Sequence, residues 1–261
     1  MSRYTGKFEA VSAAEPKRIP FLLVPLSFVL IELFGLRFLL PEGDRSFFPV
    51  CYGLLWSGAL SGVLLMLPSA AARIVYGITY FLSAVYAGFQ TGYYLLFSEM
   101  LWLSDFRYAA EGSDYADVLL TYPLFWWLGI AFMILQGILI LWKFPRWKLS
   151  RIRLALSVLL LAVSAWGMDS LPEQLFADDD KIQYAGSDYG RSQSAQAVFE
   201  NMFNTHRLYR LCGLHHTLAK DIYKSAIYPL TPSHAAEKAR AEEEIEVYFS
   251  GQPEARENQM T

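Results

Sequence analysis

The sequence predicts an all-α, polytopic membrane protein with five transmembrane helices and an extracellular helical linker. Three observations predict it. Hydrophobic residues make up 54% of the chain and charged residues only 18%, where a soluble domain carries closer to a quarter. The apolar residues fall into five windows near the ~20 residues that cross a bilayer as a helix. Charges are sparse before residue 168 and dense after it. That much apolar mass excludes a disordered chain, and two cysteines cannot staple 261 residues. A net charge of −3 offers nucleic acid no general attraction.

The windows are Ile19–Leu40, Phe47–Leu67, Ile74–Phe97, Val118–Trp142 and Leu154–Met168. The last is short, but Leu171 and the stems of Arg151 and Arg153 extend it by snorkelling. The first is too long for a cleaved signal and runs into Pro41 and Glu42 without a small-residue cleavage site, as a retained anchor does. Orientation follows from Lys and Arg in the short loops. Arg3, Lys7, Lys17 and Arg18, then Arg73, then Lys143, Arg146, Lys148, Arg151 and Arg153 fall on one side. The opposite loops supply only Arg45 and Arg107. Five spans then put the amino terminus in the cytoplasm and the chain after Met168 outside. Residues 1–18 form a cytoplasmic segment, 19–168 the membrane domain and 169–261 the outer linker. Tyr93, Tyr94, Trp102, Trp126, Trp127, Trp142, Trp147 and Trp166 sit near span ends, where an interfacial belt places them. Gly53, Ser57 and Ser61, with Gly58 and Gly62 beside them, give span two a small-residue face that suits close helix packing, within the chain in preference to the alternative of a dimer interface.

Residues 169–195 read as a solvated connector around Asp178–Asp180. From Ala195 to Tyr228 apolar residues recur at helical spacing, which predicts two amphipathic helices broken at Gly213. Arg207, Arg210, Lys220 and Lys224 make the pair basic, as in helices that lie at an interface and attract anionic headgroups. Thr231-Pro232 then opens an acidic, solvated helix from about Ser233 to Phe249.

Charge inside a membrane is costly, so Glu32 and Arg37 in the first span are candidates for a headgroup-facing polar pocket, with Gln90 and Gln136 as further polar groups. The blander alternatives are a Glu32 hydrogen-bonded between helices and an Arg37 that snorkels. Adjacent His215 and His216 diverge on a helix and cannot chelate one ion together; a surface or interface role suits them better than a metal site. Cys51 and Cys212 are expected to stay unpaired. No catalytic constellation or metal motif is visible, and no catalytic residue is assigned.

Two stretches carry a resemblance. One is Gln90-Thr-Gly-Tyr-Tyr94 through Phe97 and Leu101-Trp-Leu-Ser-Asp105, followed by a small acidic loop to Asp117. The other is Leu208-Tyr-Arg-Leu-Cys-Gly213-Leu-His-His-Thr217-Leu-Ala-Lys-Asp221, with Asn258-Gln259-Met260-Thr261 closing the chain. With the five-span outline, these resemble the membrane half of lipoteichoic acid synthase-like proteins of the sulfatase and alkaline phosphatase superfamily. The resemblance implies a bacterial membrane anchor and linker for an enzyme that moves phosphoglycerol from phosphatidylglycerol at the outer leaflet. It also implies an extracellular catalytic domain, with a threonine nucleophile and a divalent metal such as manganese, that would begin where this sequence ends. On that expectation the chain is inactive alone and its partners are membrane lipids and the catalytic domain in cis. The alternative expectation is a free-standing polytopic scaffold or transporter component.

Overall fold

Apolar stretches with no backbone partner but their own chain can satisfy their N–H and C=O groups only by coiling, and each expected window contains a helix. The computed structural model describes residues 19–40, 47–103, 118, 121–179, 194–202 and 204–250. Among them the long helices are α1 (Leu23–Leu39), α2 (Phe48–Met66), α3 (Ser69–Phe97), α4 (Leu124–Trp142) and α5 (Arg151–Asp179). Then come α6 (Ala195–Asn201), α7 (Thr205–Ile222), a π turn (Tyr223–Ile227), a 3₁₀ turn (Tyr228–Leu230) and α8 (Pro232–Ser250). Residues 1–18, the acidic loop from Asp105 to Asp117, Asp180 and the closing Asn258–Thr261 lie outside the described residues.

Among the described residues four helices, α2 to α5, are long and apolar enough to cross a membrane. The expected first span is shorter, because α1 has 17 residues, about 26 Å at 1.5 Å each, against a hydrocarbon core of about 30 Å. It also carries Glu32 and Arg37. Two other boundaries differ from expectation. The fourth helix starts only after Pro123, which stands at its N-cap. The fifth does not stop at Met168; it runs on through Pro172 to Asp179, so the first part of the expected connector is helical.

Large side chains cover the outside of this bundle. Leu124, Leu128 and Leu135 of α4 and Ile152, Val158 and Leu159 of α5 are exposed, as suits helices solvated by lipid rather than water. Inside, Phe28 of α1 packs edge-on against Tyr76 and Tyr80 of α3. Both phenols find partners across the core. Tyr80 donates to the Met133 carbonyl of α4 at 2.7 Å, and Tyr76 pairs with Ser27 at 3.0 Å.

The small-residue face of α2 is used twice within the chain. On one side Ser57 donates to the Pro25 carbonyl of α1 at 2.7 Å, and a Cβ on Gly53 would stand 2.6 Å from Glu32 Cγ. On the other, Ser157 of α5 donates to the Gly62 carbonyl at 2.5 Å, and a Cβ on Gly58 would meet Ser164 Oγ at 2.8 Å. Gly and Ser thus let α1 and α5 approach α2 closely enough for side chain–backbone hydrogen bonds. At the end where α1, α3 and α5 begin, Trp147 donates its indole N–H to the Leu67 carbonyl at 3.0 Å and Ile19 N–H reaches the Lys143 carbonyl at 3.4 Å.

The remaining helices dock at the other end. Tyr52 of α2 with Val198, Met202, Leu208 and Cys212 forms a second buried cluster, against which Trp102, Met168 and Phe199 pack. This cluster seats α6 and α7 on α2 and on the far part of α5.

Candidate functional site

The polar heart of the protein is built where α7 meets α1. Gly213 has φ 75° and ψ −179°, a backbone state that an L side chain tolerates poorly. A Cβ there would also run into Glu32 Oε1 and lie 3.0 Å from the Pro49 carbonyl. Glycine therefore provides both the turn and the room. It breaks α7 where the spacing predicts a break, and it restarts the helix at Leu214 with fresh, unbonded N–H groups.

Glu32 takes up those groups. Its Oε1 accepts the Leu214 N–H at 2.6 Å, and its Oε2 accepts the His215 N–H at 3.2 Å. The His215 ring donates from Nδ1 to Oε2 at 2.7 Å. A carboxylate from α1 thus caps a helix that lies 182 residues further along the chain. Thr217 closes the turn by donating to the Gly213 carbonyl at 2.7 Å. Glu32, His215 and Thr217 are all buried. Three donors on one carboxylate, one of them at a helix N-terminus, replace the water that Glu32 loses.

Around this cap lie three buried groups without a hydrogen-bond partner among the described residues: His215 Nε2, Tyr209 Oη and Tyr86 Oη. Burial raises the Tyr209 phenol well above its ordinary range, with the Glu32 carboxylate adding to the effect. His216, the next residue, faces α2. Trp56 donates its indole N–H to His216 Nδ1 at 3.4 Å, Tyr52 lies 4.4 Å from its ring centre and Phe199 stacks on it at 5.6 Å. Burial, aided by Lys220, pushes its pKa down to about 3. His216 is therefore neutral at ordinary pH, and its Trp56 bond places the proton on Nε2.

Asp221 closes the far end of α7. Its Oδ2 accepts the Leu103 N–H at 2.8 Å and its Oδ1 accepts from Ser225 at 2.9 Å. The same segment is held from α3, where the Gln90 amide donates to the Leu101 carbonyl at 2.6 Å and accepts the Leu101 N–H at 3.0 Å. Tyr94 of α3 stacks on His206 of α7 at 4.8 Å, and His206 Nε2 reaches the Leu39 carbonyl at 2.9 Å. The exit of α3 and the Gly213–Asp221 segment, distant in sequence, are therefore one hydrogen-bonded unit.

The expected site residues divide. Glu32 sits at the centre of the cap, hydrogen-bonded between α1 and α7. Arg37 is exposed at the end of α1 with its guanidinium 5.5 Å over the Phe125 ring. Gln136 accepts from Tyr80 at 3.2 Å, away from Gln90 and Glu32. Arg207 and Arg210 are half-buried on the rim of α7. Lys220 donates to the Phe199 carbonyl and lies 3.5 Å from that ring's centre, and burial lowers its pKa. Lys224 is exposed and stands 5.9 Å over Trp102. The four cations do not form one free basic face, because α7 packs into the bundle rather than lying alongside it. Cys51 and Cys212 are both free thiols, the second fully buried.

His215, expected at a surface or interface, lies at the contact between α7 and α1, and its bond to Glu32 was not foreseen in the sequence. The available signal was a lone intramembrane acid together with a glycine that opens a helix.

The arrangement fastens the start of the Leu214 helical segment to α1 through the Glu32 side chain. Among the described residues no three His, Cys, Asp or Glu side chains are grouped to hold a metal ion. No protein-family profile, curated protein or solved structure matches the chain.

Proposed function

We propose that the chain is the membrane anchor and linker module of a lipoteichoic acid synthase-like phosphoglycerol transferase. In this reading α1 is the first of five spans, the amino terminus is cytoplasmic and α6 to α8 lie outside. The module seats a catalytic domain at the height of the outer-leaflet phosphatidylglycerol headgroup. The observation that carries it is the meeting of the two stretches that bear the family resemblance. Asp221 of the second accepts the Leu103 N–H of the first, and Tyr94 of the first stacks on His206 of the second. A segment leading to an extracellular enzyme has to leave the bundle at a fixed angle, and this junction provides one. Ordering it before substrate arrives removes conformational freedom that binding would otherwise have to remove.

In this reading the divalent metal implied by the resemblance belongs to the catalytic domain and not to this module. His215 Nδ1 is committed to Glu32 and His216 Nδ1 to Trp56. No chemical step is assigned to this chain.

Two experiments test the proposal. The coding sequence is read past Thr261, and its full product is assayed for release of diacylglycerol from fluorescent phosphatidylglycerol in vesicles with manganese. A continuing frame and turnover by the full product, absent from the 1–261 chain, are expected; a stop codon after Thr261 or turnover by the chain alone refutes the assignment. For orientation, protease added outside whole cells should cut near Glu243 and leave Lys148 protected from an impermeant amine reagent. The reverse pattern removes the topology.

A further inference from the structure

An open groove of about 880 Å³ runs along the outside of α3, floored at Gly77 and walled by Phe81 and by Leu141 of α4. It extends from Ala70 to Val85, about 22 Å at 1.5 Å per residue, longer than one leaflet's half of the hydrocarbon core. Its outer rim is a ridge of Ile74, Ile78, Leu82 and Val85, each more than half exposed. The lining is almost wholly apolar, and one charge, Arg73, stands near the end where α3 begins.

We infer that this groove binds one anionic phospholipid, its acyl chain lying along α3 and its phosphodiester held by Arg73. Three features select that occupant. Among the described residues no carboxylate is paired with Arg73. The segments flanking the groove are positive: Lys143, Arg146 and Lys148 follow α4, and no Asp or Glu occurs in 67–98 or 124–168. Basic pockets between membrane helices are where anionic headgroups bind. The rim, finally, is wrong for a second copy of the chain. Close helix association in a bilayer uses small residues, whereas this ridge is branched and bulky and would bury Arg73 against its own duplicate.

The site is separate from the proposed enzymatic role and rests only on α3 and α4 crossing the membrane. By the loop charges its lipid comes from the opposite leaflet to the one the junction at Glu32 faces.

The test uses the full chain, purified in mild detergent and mixed with phosphatidylglycerol or phosphatidylcholine, with retained lipid counted by native mass spectrometry. The parent should retain phosphatidylglycerol at least threefold better than phosphatidylcholine. Arg73→Gln should abolish that preference, and Ile78→Trp, which fills the groove while keeping the charge, should reduce retention of both. Arg240→Gln on α8 should behave like the parent. Equal retention of the two lipids by the parent, or an undiminished preference in Arg73→Gln, overturns the inference. So does a dimer in the parent that Ile78→Trp dissociates, since a second copy would then occupy the groove.

Discussion

Replacing Glu32 by alanine should unseat α7, and the size of the effect can be worked from the cap. The substitution strands the buried Leu214 and His215 N–H groups and the His215 ring donor, which now end on the carboxylate at 2.6, 3.2 and 2.7 Å. Each buried donor left without an acceptor costs about 1–3 kcal/mol. Water entering the space left by the side chain recovers part of this, so a net loss of about 3–4 kcal/mol is reasonable. At about 1.4 kcal/mol per factor of ten, the population with α7 detached rises by roughly two to three orders of magnitude. Cys212 reports that population. Its thiol is fully buried, and burial raises its pKa, so it reacts only when α7 lifts. In a Cys51→Ala background, maleimide labelling of Cys212 should be slow in the parent and accelerate about 100-fold or more in Glu32→Ala. Gly213→Ala should do the same from the other side of the contact, with α1 untouched. Labelling at the parental rate in both variants would refute the cap as the fastener.

Other expectations follow from the same contacts. His216 has a pKa near 3 when docked and about 6.5 when released. The released form therefore binds more protons between those values, and docking weakens as pH falls below about 6.5. At pH 5 the loss is about 2 kcal/mol, from 1.36 kcal/mol per unit, and amide exchange at Leu214, corrected for its intrinsic pH dependence, should quicken accordingly. His216→Phe should flatten that profile. Lys220→Met, which keeps the stem but removes the contact with Phe199, should loosen α6 by about 1–2 kcal/mol in exchange experiments. Gln90→Leu should speed exchange at Leu101 and Asp221→Ala at Leu103, each by about 1–3 kcal/mol of lost protection. A single substitution that exposed both amides equally would mean the segment opens as one piece.

Much of the architecture was legible because its causes are local. Apolar runs of membrane length marked the helices, the Gly53–Ser57–Ser61 face marked close packing, and Gly213 marked a break in an otherwise periodic stretch. The docking of α7 was not legible. An amphipathic helix shows the same stripe whether its apolar face meets lipid or protein, so periodicity could not choose between the membrane surface and the bundle. The Glu32–His215 contact joins residues 183 apart, a separation no local pattern spans. The full length of α5 was hidden for another reason. Pro172 and the acids beyond Met168 look like a connector, yet proline removes only one helical hydrogen bond, and the neighbouring turns carried the helix on. Of the candidate cations, composition gave the sign but not the neighbours, and Lys220 proved to serve the packing of Phe199.

The unbroken run of α5 has a mechanical consequence. Its 29 residues make a rod of about 43 Å, some 13 Å longer than the hydrocarbon core is thick. Near its tip Phe176 meets Phe199 of α6 at 5.6 Å, so the rod acts as a ruler against which the later helices are levelled. Adding four residues between Met168 and Phe176 would raise that tip by about 6 Å and swing it by about 40°, moving whatever stands on it while leaving the buried bundle as it was.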